Sequence, residues 1–135
     1  MITKHSHSQV FVVDQDRAKA FFTEKLGLEV RDDVRMGTYR WLTVAPKTQP
    51  DHQIILSQLQ PGGLMNADQI QTIRSLLEAG ALGGGVFATD DCQRTYEELK
   101  AKGVTFVREP KEMPYGIEAL FRDDSNNMFV LVQRR

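Results

Sequence analysis

The sequence lacks several features that mark particular classes of protein. It has a single cysteine, Cys92, which excludes an internal disulfide and suits a reducing compartment. Its 17 Lys and Arg residues do not outnumber its 18 Asp and Glu residues, so no basic excess is available for nucleic acid or an anionic membrane surface. The longest apolar run, Met128–Val132, is far too short to cross a bilayer. We therefore expect neither nucleic acid nor membrane as a partner.

The ordinary features of the composition indicate one globular domain. A chain of 135 residues with 41% hydrophobic residues is long enough and apolar enough to bury a core of its own. The N-terminal stretch MITKHSHSQ is polar and has no apolar core of the signal-peptide type. We expect a cytoplasmic protein. The terminal Arg134 and Arg135 are interpreted as a solvated chain end.

The sequence contains an internal repeat. The stretch FVVDQDRAKAFFTEKLGLEV that starts at Phe11 returns, after 76 positions, as FATDDCQRTYEELKAKGVTF. The shift aligns Phe11 with Phe87, Asp14 with Asp90, and Gly27 with Gly103. In each copy an apolar run ends at an aspartate, a helical stretch follows, and a glycine precedes the next apolar run. Two copies are too few for a solenoid and indicate two halves of one domain.

Hydrophobic periodicity predicts the same order of elements, βαβββ, in each half. The first helix is expected to start at Asp14 or Asp16 and to end near Leu26, and the second to start at Asp90 or Asp91. The predicted strands are His5–Val13, Leu28–Val30, Tyr39–Val44 and Gln53–Gln58 in the first half, and Gly85–Thr89, Val104–Val107, Ile117–Phe121 and Met128–Val132 in the second. The sequence thus predicts an α+β fold with a first module at 1–60, a helical linker at 61–81 and a second module at 82–135.

Four segments resemble the vicinal oxygen chelate superfamily, which includes glyoxalase I, bleomycin-resistance proteins and extradiol dioxygenases. The segments are Val12–Val30, Tyr39–Val44, Thr89–Phe106 and Pro114–Gln133. The last one is similar to the family pattern in which an Asp-Pro-x-Gly-Asn turn precedes the final strand, although here the turn Asp123–Asn127 has neither the proline nor the glycine. The resemblance implies a half-open barrel of mixed sheet, a homodimer, and a small-molecule ligand in the concave face.

The resemblance also allows a test for a metal site. Metal-dependent members bind a divalent ion through His and Glu side chains on the first and last strands of the two modules. The first-strand position falls on His7, which matches. Its equivalent in the second module falls on Gly83 or Gly84, and the last-strand positions fall on Ile55 and Val130. Glycine and aliphatic side chains cannot ligate a metal, so the resemblance implies a variant without a metal cofactor.

Two functional hypotheses remain open at the level of sequence. The first is a metal-free protein that binds a small hydrophobic or aromatic compound in a dimer cleft. The alternative is an enzyme, a metal-dependent lyase, isomerase or dioxygenase, with one divalent metal ion at His7 and non-standard ligands. The residues expected to line the cavity are His7, Gln9, Trp41, Gln53 and Glu118, and no catalytic residue is assigned.

Three further expectations concern the roles of individual side chains. Alternation along Tyr39–Val44 places either Arg40 or Trp41 towards the cavity, and the pattern does not choose between them. Glu118 is interpreted as an ion-pair partner of Arg40 or Arg122 rather than as a general base. Cys92 is interpreted as core packing rather than as a reactive thiol.

Overall fold

The computed structural model describes all 135 residues, which form eight strands and three helices. The strands are β1 (His7–Val12), β2 (Glu29–Met36), β3 (Tyr39–Ala45), β4 (Gln53–Gln58), β5 (Gly83–Ala88), β6 (Thr105–Met113), β7 (Gly116–Arg122) and β8 (Met128–Arg134). The helices are α1 (Gln15–Ala20), which continues as a π-helical turn (Phe21–Lys25), α2 (Ala67–Glu78) and α3 (Cys92–Ala101). None of the helices combines the length and the apolar character that a membrane span requires.

The strands form two four-stranded sheets with the same topology. The first sheet has the order β1-β4-β3-β2 and the second the order β5-β8-β7-β6. In each sheet the first strand of the module runs parallel to the last one, and the other neighbours are antiparallel. The prediction of an α+β fold built from two βαβββ modules is confirmed. The chain divides into two compact units, Met1–Arg74 and Ser75–Arg135, and the division falls within α2.

An aspartate begins the helix of each module. The Asp14 carboxylate accepts a hydrogen bond from the backbone N–H of Arg17 at 3.1 Å, and the Asp91 carboxylate accepts one from the N–H of Arg94 at 3.0 Å. Both aspartates have extended backbone angles, as N-cap residues do. Of the alternatives that the sequence left open, Asp14 and Asp91 are therefore the caps. Gly27, with φ of +73°, lies just after the π-helical turn.

In the first unit, α1 and the π-helical turn cover one face of the first sheet. The α1 residue Gln15 is buried and its amide donates to the backbone carbonyls of Arg40 and Leu56 at 3.1 and 2.9 Å. The fully buried apolar side chains of this unit are Val12, Ala18, Phe22, Leu42, Val44, Ala45, Leu56 and Leu59. The opposite face of this sheet is left without a covering helix in its own unit.

In the second unit, a group of aromatic rings forms the core beneath α3. Phe121 and Phe129 are buried and stacked with ring centroids 5.6 Å apart, and Phe106 meets the edge of Tyr96 on α3. Cys92, which is also buried, belongs to the same helix face, as expected. Burial raises the pKa of the Cys92 thiol and the nearby Asp91 carboxylate adds to the effect, so the thiol stays protonated and unreactive.

The turn between β7 and β8 forms without the glycine of the family pattern. The buried Asp123 carboxylate accepts hydrogen bonds from the backbone N–H of Ser125 and Asn127 at 2.9 and 2.8 Å. Asn126 has φ of +75° and therefore occupies the left-handed conformation that glycine would otherwise take. Its side chain donates to the carbonyls of Leu77 and Glu78 at the end of α2. An asparagine thus satisfies the backbone requirement of the turn.

Candidate functional site

The uncovered face of the first sheet gathers four of the five predicted cavity residues. We call this surface the first open face, and it comprises His7, Gln9, Trp41, Thr43, Gln53 and Ile55. Strand register places them together: His7 pairs with Gln53 and Gln9 with Ile55 across β1 and β4, and Thr43 pairs with Ile55 across β3 and β4. Side chains in register on neighbouring strands share a face of the sheet.

The orientation of Arg40 settles which side of β3 contributes to this surface. The buried Arg40 guanidinium donates to Asp16 at 2.7 Å and to the two oxygens of Asp33 at 2.8 and 2.9 Å. Since Asp16 belongs to α1, Arg40 lies on the covered side of the sheet. Neighbouring residues of a strand point to opposite faces, so Trp41 lies on the open side.

Hydrogen bonds hold the polar side chains of the first open face in place. The Thr43 hydroxyl donates to Gln53 Oε1 at 2.7 Å and accepts from the backbone N–H of Asp32 at 3.0 Å. Trp41 Nε1 donates to the Asp32 carboxylate at 3.3 Å, and the His7 ring lies 5.5 Å from the Trp41 ring. This arrangement leaves the Gln53 amide nitrogen free to donate to a ligand beside the Trp41 ring.

An apolar strip extends the same surface along the hairpin of β2 and β3. Val34 pairs with Trp41 and Met36 pairs with Tyr39, so all four side chains share the open side. Val34, Met36 and Tyr39 are exposed by 48%, 58% and 46%. Adjacent exposed apolar side chains of this size are typical of a binding surface.

The fifth predicted residue, Glu118, lies on the uncovered face of the second sheet. We call this surface the second open face, and it comprises Val86, Tyr115, Glu118, Val130, Val132 and Arg134. These six residues line a shallow depression of about 280 Å³. Register places Val86 beside Val130 and Glu118 beside Val132.

The prediction that Glu118 pairs with Arg40 or Arg122 is wrong. Its carboxylate accepts a hydrogen bond from the Tyr115 hydroxyl at 2.6 Å and forms an ion pair with the Arg108 guanidinium. Register shifts in β6 bring Arg108 opposite Leu120, within reach of Glu118, and sequence spacing does not reveal such shifts. Arg122 instead donates to the carbonyls of Gly80 and Asn126.

The partners of Glu118 also determine its acid–base character. The hydrogen bond from Tyr115 and then the Arg108 guanidinium lower the pKa of Glu118, while the same hydrogen bond raises the pKa of Tyr115. A general base works best when its pKa is close to the working pH. A carboxylate with a lowered pKa and two occupied oxygens is poorly suited to that role, and its geometry fits a fixed wall group instead.

The residues at the family's metal positions do not fit a metal ion. His7 pairs with Gln53, and Ile55 lies two residues further along β4. In the second module Gly83 pairs with Met128, and Val130 lies two residues further along β8. Register therefore makes Gly83, rather than Gly84, the equivalent of His7. No group of three or more His, Cys, Asp or Glu side chains in the chain is arranged to hold a metal ion.

Sequence reasoning missed the partners of Glu118 and the role of Arg134. Tyr115 lies in the turn between β6 and β7, where the alternation rule for strands gives no orientation. Arg134, interpreted as part of a solvated end, is the last residue of β8 and lines the depression. Continuing the alternation of Val130 and Val132 by one more step would have identified it.

The chain is similar to proteins of known sequence and structure over nearly its whole length. The model of the family described as "Glyoxalase/Bleomycin resistance protein/Dioxygenase superfamily" matches residues 4–131. The protein YurT of Bacillus subtilis (strain 168) is 38% identical over 128 residues, which are 94% of this chain and 96% of that protein. UcmS2, whose crystal structure is known, has 45% sequence identity to this chain. The match covers 98% of this chain and 99% of that chain, with a TM-score of 0.93. TnmS3, an antibiotic binding protein from Streptomyces sp. CB03234, is 30% identical, with coverages of 99% and 98% and a TM-score of 0.78.

Proposed function

The chain belongs to the Glyoxalase/Bleomycin resistance protein/Dioxygenase superfamily, and from this premise we propose that it is a metal-free binding protein for a small hydrophobic or aromatic compound. Each open face, taken by itself, offers a surface for such a compound. We also propose that the protein acts as a homodimer, whose mass by light scattering would be twice 15.3 kDa.

The observation that carries the proposal is the chemistry of the metal positions. Three of them hold Ile55, Gly83 and Val130, on sheet faces that also present apolar side chains such as Trp41 and Val132. Apolar walls with a few fixed polar groups are typical of sites that bind small organic molecules. An aromatic ring such as Trp41 gives a flat ligand a large contact area at little entropic cost. TnmS3 is an antibiotic binding protein, and this similarity supports an antibiotic-like compound as the ligand class.

Replacement of Trp41 tests the site on the first sheet. A panel of two- and three-ring aromatic compounds is first screened by thermal shift, since a ligand at 100 times its dissociation constant adds about 2.7 kcal/mol to stability. For the best compound, Trp41→Leu should weaken binding by about tenfold or more, because a central aromatic anchor contributes roughly 1.4–3 kcal/mol. Isothermal titration calorimetry measures the change.

The matched control for this experiment is Trp41→Phe. It keeps a ring on the first open face and should retain most of the affinity. Trp41 is the single tryptophan, so its fluorescence in the wild-type protein reports directly on a ligand beside it. Equal affinities of the wild-type and Trp41→Leu proteins, with no change in emission on binding, would place the ligand elsewhere and contradict the assignment.

We expect the protein to require no metal ion. One imidazole without carboxylate partners binds a divalent ion weakly, so protein purified without chelator should carry less than about one-tenth equivalent of Zn, Ni, Mn or Fe. His7→Ala should leave the melting temperature in EDTA unchanged. Elemental analysis provides the measurement. Near-stoichiometric metal that disappears in His7→Ala would instead support the alternative of a metal-dependent enzyme.

A further inference from the structure

The depression on the second open face has an apolar floor and polar groups around it. Val86, Val130 and Val132 contribute the apolar part, and Val86 is 65% exposed although it lies in the middle of β5. A volume of about 280 Å³ is near the lower limit for small-molecule sites, which suits a group of one or two fused rings. The floor alone would accept any apolar ring, so selectivity must come from the surrounding polar groups.

Of the charged side chains that line the depression, Glu118 has an ion-pair partner within the protein and Arg134 does not. The Glu118 carboxylate receives the Tyr115 hydroxyl and the Arg108 guanidinium, so its charge is balanced within the protein. Arg134, which also lines the depression, forms no ion pair and no side-chain hydrogen bond. Lys111, paired in register with Glu118 on the neighbouring strand, likewise forms no ion pair. The second open face therefore has one positive charge without an ion-pair partner, that of Arg134, and the neighbouring strand β6 adds a second one at Lys111, although the whole chain has a formal net charge of −1.

Arg134 is exposed, so its guanidinium stays hydrated beside a neutral ligand and contributes little to binding it, while it repels a cationic one. An anionic group on the ligand would form an ion pair with Arg134, because the planar donors of a guanidinium match the two oxygens of a carboxylate. We propose that the second open face selects an aromatic anion, with its rings on the three valines and its carboxylate or ionised phenol paired with Arg134. This inference rests on the proposed binding function and adds the charge of the ligand to it.

A matched pair of probes isolates the charge. Naphthalene-2-carboxylate and naphthalene-2-carboxamide have nearly the same shape, and only the first is anionic at pH 7. The wild-type protein should bind the carboxylate about five- to tenfold more tightly, the range for a partly exposed ion pair of roughly 1 kcal/mol. Raising NaCl from 0.05 to about 0.5 M should weaken binding of the carboxylate and leave the carboxamide unaffected, because salt screens exposed charges. Calorimetry measures all four affinities.

Two neutral variants assign the preference to one side chain. Arg134→Gln should remove the preference for the carboxylate without loss of stability, since the side chain has no partner to lose. Arg135→Gln changes the net charge equally one residue away, on a side chain that pairs with Glu112, and should retain the preference. A preference that persists in Arg134→Gln would overturn the assignment to Arg134.

The outcomes separate this inference from the binding function on which it rests. Equal affinity of the wild-type protein for the two probes would overturn the selection of an anion and leave the binding function intact. Failure of both probes to bind, while other compounds of the aromatic panel do bind, would likewise overturn the anion site alone. Failure of the entire panel would overturn both.

Discussion

Replacement of Gly84 by alanine should lower the free energy of unfolding by about 2–3 kcal/mol, the cost of overpacking a well-filled core. A Cβ atom at this position would lie 2.2 Å from Cζ of Phe129 and 2.3 Å from its Cε1. The Phe129 ring has no room to retreat, because it is fully buried between Phe87 at 5.3 Å and Phe121 at 5.6 Å. Urea unfolding should show the loss directly, and thermal unfolding as a decrease of about 8–12 °C in melting temperature.

The neighbouring glycine provides the control. A Cβ at Gly83 would meet only the carbonyl oxygen of Met128, at 3.7 Å, and its backbone angles are open to any residue. Gly83→Ala should therefore leave stability unchanged or raise it by about 0.4–1 kcal/mol through the loss of unfolded-state freedom. Equal destabilisation by both substitutions would show that the aromatic core does not discriminate between the two positions.

Packing requires glycine at only one of these two positions. Register makes Gly83 the equivalent of His7, and a side chain there has open space, so packing does not require glycine at that position. Gly84 is required by the core rather than by a ligand. The two positions look alike in the sequence, and a one-residue slip of the repeat leaves them indistinguishable. The register shift between Gly83 and Gly85 explains why the repeat cannot resolve them.

The fold was predictable because the repeat and the helix ends are local signals. Asp14 and Asp91 begin the helices and Gly27 and Gly103 follow them, each for a reason contained within a few residues of chain. The strand ends were less predictable. The strand β6 continues to Met113 rather than ending at Val107. The charged stretch around Arg108 interrupts the alternation of apolar and polar residues, but two register shifts there let the pairing with β7 continue.

The residues of the candidate site were predictable only in part, because they depend on which strands pair and in which register. Strand alternation alone puts His7 and Gln9 of β1 on the same face. On β3 both faces carry polar and apolar side chains, so the pattern does not show which face is open. Only the ion pairs of Arg40 identify Trp41 as the residue on the open side. The partners of Glu118 required the register of β6 and the position of a turn tyrosine, neither of which sequence spacing contains.

The Arg40 guanidinium joins α1 to the first sheet through its ion pairs with Asp16 and Asp33. Arg40→Met should lower the free energy of unfolding at pH 7 by about 2 kcal/mol, since hydrogen bonds to a charged group contribute roughly 1.5–3 kcal/mol and Asp33 keeps a second partner in Lys19. The same substitution at Arg94, whose pair with Glu98 is largely exposed, should cost less than about 0.5 kcal/mol. Urea unfolding of the two variants gives both values.

The difference between the wild-type and Arg40→Met proteins should depend on pH in a defined direction. The hydrogen bonds from Arg40 and then Lys19 hold the pKa of Asp33 well below its ordinary value in the folded protein. Such a group contributes its stability fully above its unfolded pKa, near 4, and loses it progressively as the pH falls towards the folded pKa. Between pH 7 and pH 3 the difference should therefore shrink, by less than about 1 kcal/mol, because Lys19 still lowers the pKa of Asp33 in the variant. A difference that stays constant or grows on acidification would show that Arg40 stabilises the fold through its packing rather than through the Asp33 carboxylate.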